Sequence, residues 1–341
     1  MIIAPRRSPA TSPATRRSPV TGAALVASLV LALPVAAQPA AQNVDDVDVH
    51  ILPVQGQVYM LVGAGGNTTV QVGPEGVLIV DTQFAALSDR ILAAIRTLSD
   101  KPISYILNTH VHPDHVGGNA PLARAGRTIA GGNVVGNLGD DAGATAAVVA
   151  HASVLARLSA APPAGQEPVP TAALPTDTYF TESKEIFFNG EAIQLLYQPA
   201  AHTDGDSLVF FRRSDVVSTG DIFVTTGYPI VDLAGGGSIN GIIDGLNRIL
   251  DLTIPGDKQE GGTMVIPGHG RLCDEADVVE YRDMVTIVRD RVQDLVRKGM
   301  TLAQVQAARP TRDYDRRYGA TSGFWTTEMF VEAVYRSLGG Q

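Results

Sequence analysis

The chain has a single cysteine, Cys273, in 341 residues, so no disulfide can form within it and its core must hold by packing alone. Basic charge is scarce as well. Lys and Arg number 26 against 35 Asp and Glu, giving a formal net charge of −9, which argues against nucleic acid or an anionic membrane as a partner. Apolar length is equally limited: the stretch from Val20 to Val35 is too short, and too soon followed by Gln38-Pro39, to span a bilayer. With Arg6, Arg7, Arg16 and Arg17 before it and Val35-Ala36-Ala37 at its end, it reads as a secretory signal peptide covering residues 1–37. The pair Arg16-Arg17 permits a twin-arginine route. The expected location is periplasmic or secreted, with no membrane attachment once the peptide is removed. Removal of those residues, which carry four arginines and no acid, takes the charge from −9 to −13. The rest is long enough for one large domain or two small ones.

What the chain does have is clustered histidine. Five of its seven histidines fall in three short segments: Thr109-His110-Val111-His112-Pro113-Asp114-His115-Val116-Gly117-Gly118, Ala201-His202-Thr203 and Pro267-Gly268-His269-Gly270. Neutral imidazole is the commonest protein ligand for zinc, and several imidazoles packed together need a shared cation. Each segment follows an apolar run that reads as a strand, so the ligand candidates sit at strand ends. Alternation along an extended segment projects His110, His112 and Asp114 together and His115 elsewhere. Asp221, after Val216-Val217-Ser218-Thr219-Gly220, has the same setting. His50 and His151 lie apart and are expected to be satisfied surface or boundary residues, His151 within an alanine-rich helical run from Asp141 to Ala160. Cys273 is expected to be a small buried thiol.

The ordered motifs HxHxDH, AHT, TGD and PGHG resemble the metallo-β-lactamase superfamily, from Gln57 to Cys273. The resemblance implies an α+β fold, a four-layer αββα sandwich with a dinuclear metal site along one edge of its sheets. It places His110, His112 and His202 on a first zinc ion, Asp114, His115 and His269 on a second, and Asp221 between them, with Asp81 supporting the site from outside. Two cations a few Å apart lower the pKa of a bridging water, so hydroxide attacks a carbonyl without a side-chain nucleophile, and Asp114 is the residue to orient it. The reaction expected is hydrolysis of a small-molecule ester, thioester, lactone or amide. Zinc β-lactamases of the family usually carry Cys or Ser at the Asp221 position, which weakens an antibiotic-hydrolysing reading without removing it. Persulfide dioxygenases resemble the same motifs with a single iron (Fe), so a redox reading also stays open.

The organisation expected is a linker at 38–50, a catalytic domain at 51–273 and a helical extension at 274–341. Short β-rich runs at Gln57–Val62, Thr68–Val72 and Val77–Asp81 read as antiparallel strands, and Ala85–Leu98 as an amphipathic helix. The stretch from Ala160 to Thr176, with five prolines, reads as a connection. Gly235-Gly236-Gly237 reads as a flexible turn before a helix capped by Ser238, and Tyr228 is the candidate substrate contact. Helices are expected at Val278–Val296, Thr301–Ala308 and Phe324–Leu338. The sequence leaves the oligomeric state open.

Overall fold

His50, placed by the sequence in a linker, instead opens the first strand, β1 (His50–Gln55), which pairs antiparallel with β2 (Val58–Val62). The alternating segments that follow become β3 (Thr68–Gly73) and β4 (Gly76–Val80), antiparallel as expected. These elements belong to a computed structural model that describes residues 47–128, 145–162 and 165–340. The expected signal peptide, the linker up to residue 46 and the start of the predicted helix at Asp141 lie outside the described residues.

From β4 the first sheet continues in parallel through β5 (Ile103–Leu107), β6 (Ala147–His151) and β7 (Asp177–Tyr179), in the order β1-β2-β3-β4-β5-β6-β7. A second sheet runs β12-β11-β10-β9-β8, from β8 (Ser183–Phe188), β9 (Glu191–Gln198), β10 (Asp206–Phe211), β11 (Val216–Ser218) and β12 (Met264–Ile266). The helical reading of Asp141–Ala160 is corrected here. Val148, Val149 and Ala150 are strand residues buried on both faces of a parallel sheet, where an apolar run carries no alternation to set it apart from a helix. The helix α4 (Ala152–Leu158) begins only after His151, whose Nδ1 accepts from the Ser153 amide. His151 is therefore a buried, satisfied cap, its ring stacked 3.7 Å from Tyr197.

Strand alternation sorts side chains into layers. On β4, Leu78 and Val80 face Phe188, Leu195, Val209 and Phe211 of the second sheet, forming the core between the sheets. Val77 and Ile79 face the other way, onto Ile91 and Ile95 of α1 (Ser88–Leu98). On the far side of the second sheet, Ile242 and Leu246 of α5 (Ile239–Leu252) pack with Val285 and Val288 of α6 (Glu275–Arg297) and Phe330 and Val334 of α9 (Thr327–Ser337). The result is the expected αββα sandwich. Helix α5 starts at the Ser238 cap, whose hydroxyl accepts from the Gly241 amide, and α7 (Leu302–Ala307) starts at the Thr301 cap. The C-terminal helices share one core cluster with the second sheet's outer face. Among the described residues no helix is long and apolar enough to cross a membrane.

One buried polar group ties the sheets together. Glu191, 3% exposed, accepts from Gln71 Nε2 (2.7 Å) across the sandwich, from Ser214 Oγ (2.8 Å) and from the amides of Arg213 and Ser214 (3.0 and 2.9 Å). Removing the carboxylate leaves several buried donors without partners, so Glu191→Ala should lower unfolding stability by about 2–4 kcal/mol. Denaturant unfolding checks this; an unchanged midpoint would mean that water replaces the carboxylate at no cost.

Candidate metal centre

The parallel pairing of β4 with β5 sets Val80 beside Leu107, so the residues just beyond each strand meet. Asp81, 2% exposed and at φ 61°, a left-handed conformation that Asp tolerates better than most residues, aims its carboxylate at the HxHxDH loop. Its Oδ1 accepts from the Thr109 amide (2.8 Å), and its Oδ2 accepts from Thr109 Oγ1 (2.7 Å) and His115 Nδ1 (2.7 Å). With its proton spent on Asp81, the Thr109 hydroxyl can only accept from His110 Nδ1, 3.0 Å away. One carboxylate thus fixes the tautomers of two histidines.

The other ligand candidates come from the second sheet. His202 follows β9, Asp221 follows β11 and His269 follows β12, all at carboxyl ends on the same edge. Three groups have ligand atoms within 4.8 Å of one another: His110, His112 and His202; His110, His115 and Asp221; and Asp114, His115 and His269. Asp114 thus sits with His115 and His269, and the alternation reading is corrected. Pro113 starts a short helix, α2 (Pro113–Val116), which turns Asp114 and His115 to one side.

The protons around this cluster leave lone pairs facing one another. His202 Nδ1 donates to the Ile230 carbonyl (2.8 Å) and His112 Nε2 donates to Asp232 Oδ2 (3.1 Å), so the remaining nitrogens, 2.8 Å apart, both carry lone pairs. His115 Nε2 lies 3.3 Å from His269 Nε2, with the Asp114 and Asp221 carboxylates beside both. His110 Nε2 and Asp221 Oδ1 are buried with no hydrogen-bond partner. Cations would satisfy these unpaired atoms, and the imidazole and carboxylate donors fit zinc. Asp221 reaches both sides, with Oδ1 3.2 Å from His115 Nε2 and Oδ2 3.7 and 3.5 Å from His202 Nε2 and His269 Nε2.

The electrostatics divide in the same way. Burial, reinforced by the neighbouring histidines, holds His110 well below the ordinary histidine range and pushes His202 down to about 4. Burial also opposes charge on His115 and His269, but nearby carboxylates overcome it. Asp221, Asp114 and Asp81 push His115 well up, and Asp221 and Asp114 raise His269 to about 9. For Asp221 burial favours the neutral acid, yet His269 and His115 hold it well below the usual carboxylate range.

Two glycines are needed for this closeness. A Cβ on Gly268 would lie 2.0 Å from Asp221 Oδ1, and one on Gly66 would lie 2.3 Å from the His115 ring. The chain around Gly66 is anchored by Asn67, whose amide donates to the Gly268 carbonyl (2.7 Å) and whose Nδ2 donates to the Pro267 and Gly270 carbonyls. Sequence reading missed Asn67, Thr109 and Asp232 as supports of the histidines. The available signal was their place one to three residues from a motif or a glycine run. Cys273 is buried and belongs to none of the three groups.

The profile of the metallo-beta-lactamase superfamily matches residues 61–269, and the chain belongs to that superfamily. The linear primary-alkylsulfatase of Pseudomonas sp. (strain ATCC 19151) is 52% identical over 46 residues, 13% of this chain and 9% of that protein. The alpha subunit of a 2,4-dinitroanisole O-demethylase from Nocardioides sp. (strain JS1661) is 28% identical over 182 residues, covering 52% of this chain and 48% of that protein. The chain thus spans at most about half the length of these curated relatives. Among solved structures, the stereoselective inverting sec-alkylsulfatase Pisa1 from Pseudomonas sp. superposes with a TM-score of 0.61 at 15% identity, over 84% of this chain and 50% of that one. A metallo-beta-lactamase from Pontibacter korlensis superposes with a TM-score of 0.52 at 14% identity, over 70% and 99%.

Tyr228, expected to touch substrate, is corrected to a core residue. It is 3% exposed, its ring is stacked 4.6 Å from Phe330, and its hydroxyl lies 3.2 Å from the Thr311 carbonyl and 3.1 Å from Asp315 Oδ1. Tyr228 fits the segment after Asp221 because α9 supplies its stacking partner and residues 311–315 supply its acceptors. Tyr228→Phe should cost about 1 kcal/mol of stability and leave KM unchanged; a raised KM at unchanged stability would return the residue to the substrate cleft.

Proposed function

We propose that the chain is an exported two-zinc hydrolase of a small-molecule ester, thioester, lactone, amide or alkyl sulfate. The observation that carries this is the position of Asp221, facing both the His110–His112–His202 group and the Asp114–His115–His269 group within 3.2–3.7 Å of three of their ring nitrogens. Two bound zinc ions would lower the pKa of a shared water from about 15.7 towards neutrality and polarise the electrophilic centre of the ester.

The residues divide into a closed floor and an open face. His110, His115, His202 and Asp221 are buried, whereas the side chains of His112, Asp114 and His269 are 28%, 24% and 27% exposed. Substrate therefore enters over His112, Asp114 and His269, while the floor is sealed from water. Asp114, whose Oδ2 lies 3.2 Å from His269 Nε2 at that open face, is the residue assigned to orient the attacking water. The seven cluster residues contain no serine or cysteine nucleophile.

The electrophile is a carboxylic ester, thioester, lactone or amide carbonyl, or the carbon that bears the sulfate group of an alkyl sulfate, with sulfate as the leaving group. The sulfate class is supported by two sulfatases among the relatives, one by sequence and one by fold. Purified protein should contain about two zinc ions by elemental analysis and turn over at least one of these classes in a panel that includes β-lactams. Asp114→Ala should reduce that turnover by about 10²-fold or more. One iron per chain with no hydrolysis across the panel would sink the reading in favour of redox chemistry.

Export rests on the arginine-flanked apolar segment before Gln38. Expressed with its full amino terminus, the protein should be recovered from the periplasm or medium beginning at Gln38. Intact chain retained in the cytoplasm would refute export.

A further inference from the structure

One short loop steers two of the three histidines in a single group. Residues 230–237 fold back over His202: its Nδ1 donates to the Ile230 carbonyl, its own carbonyl accepts from the Asp232 amide (3.1 Å), and the Ser238 amide closes onto Ala201 O (2.9 Å). The same loop reaches His112 through Asp232, whose Oδ2 accepts from His112 Nε2. The Asp232 carboxylate is itself fixed, because Oδ1 accepts from the Gly235 amide (2.7 Å) and the Gly237 amide donates to the Asp232 carbonyl (2.7 Å). The glycine run expected to be flexible is thus a hydrogen-bonded turn built on Asp232. Outside it, the Asp204 amide donates to Gly235 O (2.9 Å), and Arg157 grips the Asp204 carboxylate with two hydrogen bonds of 2.6 and 2.7 Å. Among the described contacts, this loop makes no hydrogen bond to Asp114, His115 or His269; His115 is held instead by Asp81.

We infer that residues 230–237 form a clasp that sets the metal affinity of the His110–His112–His202 group alone, with Asp232 as a positioning residue acting through His112. The inference rests on the two-ion reading of the cluster. A carboxylate that accepts the outer N–H of a ligating histidine fixes its tautomer and raises its basicity, and such partners typically change metal affinity by about 10–100-fold. Because the clasp touches only one group, the change falls on one ion. The two sites then differ in loading although they share Asp221.

The test is a zinc titration of metal-free protein against a chromophoric chelator, together with the absorption spectrum of the cobalt(II)-substituted protein. In Asp232→Ala, one of two zinc equivalents should weaken about 10–100-fold and the other keep its wild-type affinity, with one cobalt band set altered and the other unmoved. Asp232→Asn keeps an acceptor oxygen but loses the charge. It should show the same selectivity with a smaller change, and it carries the test if the alanine variant does not fold. Equal weakening of both equivalents, or no weakening of either, overturns the clasp. Wild-type protein that takes up fewer than two zinc ions overturns the two-ion reading itself, a result seen before any variant is made.

Discussion

The site depends first on the buried carboxylate of Asp81. It has no water to solvate it, and it is stable there because three donors converge on it: the Thr109 amide, the Thr109 hydroxyl and His115 Nδ1. Each of those bonds has a consequence further in. The hydroxyl, once committed, accepts from His110, so His110 presents Nε2 to the interior; His115 presents Nε2 in the same way. The conformation that makes this possible is unusual, a positive φ one residue beyond β4. It turns the side chain of a strand-end residue sideways along the sheet edge, towards the loop that leaves the neighbouring parallel strand.

A second constraint is charge. Five imidazoles and two carboxylates meet in a space where three ring nitrogens lie within 3.7 Å of Asp221. The histidines respond in opposite directions according to their neighbours. His110 and His202, lowered first by burial and then by the histidines around them, resist protonation, whereas His115 and His269, also opposed by burial but beside Asp114 and Asp221, favour it. Protons alone therefore satisfy the carboxylate-rich side but not the histidine-rich one, where lone pairs stay 2.8 Å apart. Cations satisfy both, which marks this donor set as a candidate metal site rather than an ion-pair network.

How much of this was legible in the sequence follows from the range of each signal. Strand-then-motif segments are local, and the four ordered motifs carried the family and the αββα fold directly. Alternation misplaced Asp114 and His115 because Pro113 imposes helical geometry over four residues, a change of period too short to register as a helix. Ala147–His151 was misread because a strand buried on both faces shows no alternation. Tyr228 was misassigned and Asp232 overlooked for one reason: both lie in the segment after Asp221, and which of them faces the metals is decided by distant packing. The stacking of Tyr228 on Phe330 turns that ring inward, and the hydrogen bonds of residues 232–237 turn Asp232 towards His112. Neither contact partner is near in sequence.

The cluster is also an argument about folding. The first sheet supplies Asp81, His110, His112, Asp114 and His115, and the second supplies His202, Asp221 and His269, so neither sheet alone holds a complete group of both kinds. The sheets are registered by the core between them and by the Glu191 network, and the loops at their edge by Asn67 bridging to the Gly268 segment. Ions that bind only the assembled edge stabilise the folded state in proportion to the logarithm of their concentration over their dissociation constant. The lone cysteine leaves no disulfide within the chain to do this, and at Gly66 and Gly268 the backbone has given up every side-chain atom that would keep the two sheets' ligands apart. The candidate ligands are thus brought together by the same few contacts that hold the two sheets in place, and a change that loosens the packing moves the ligands apart.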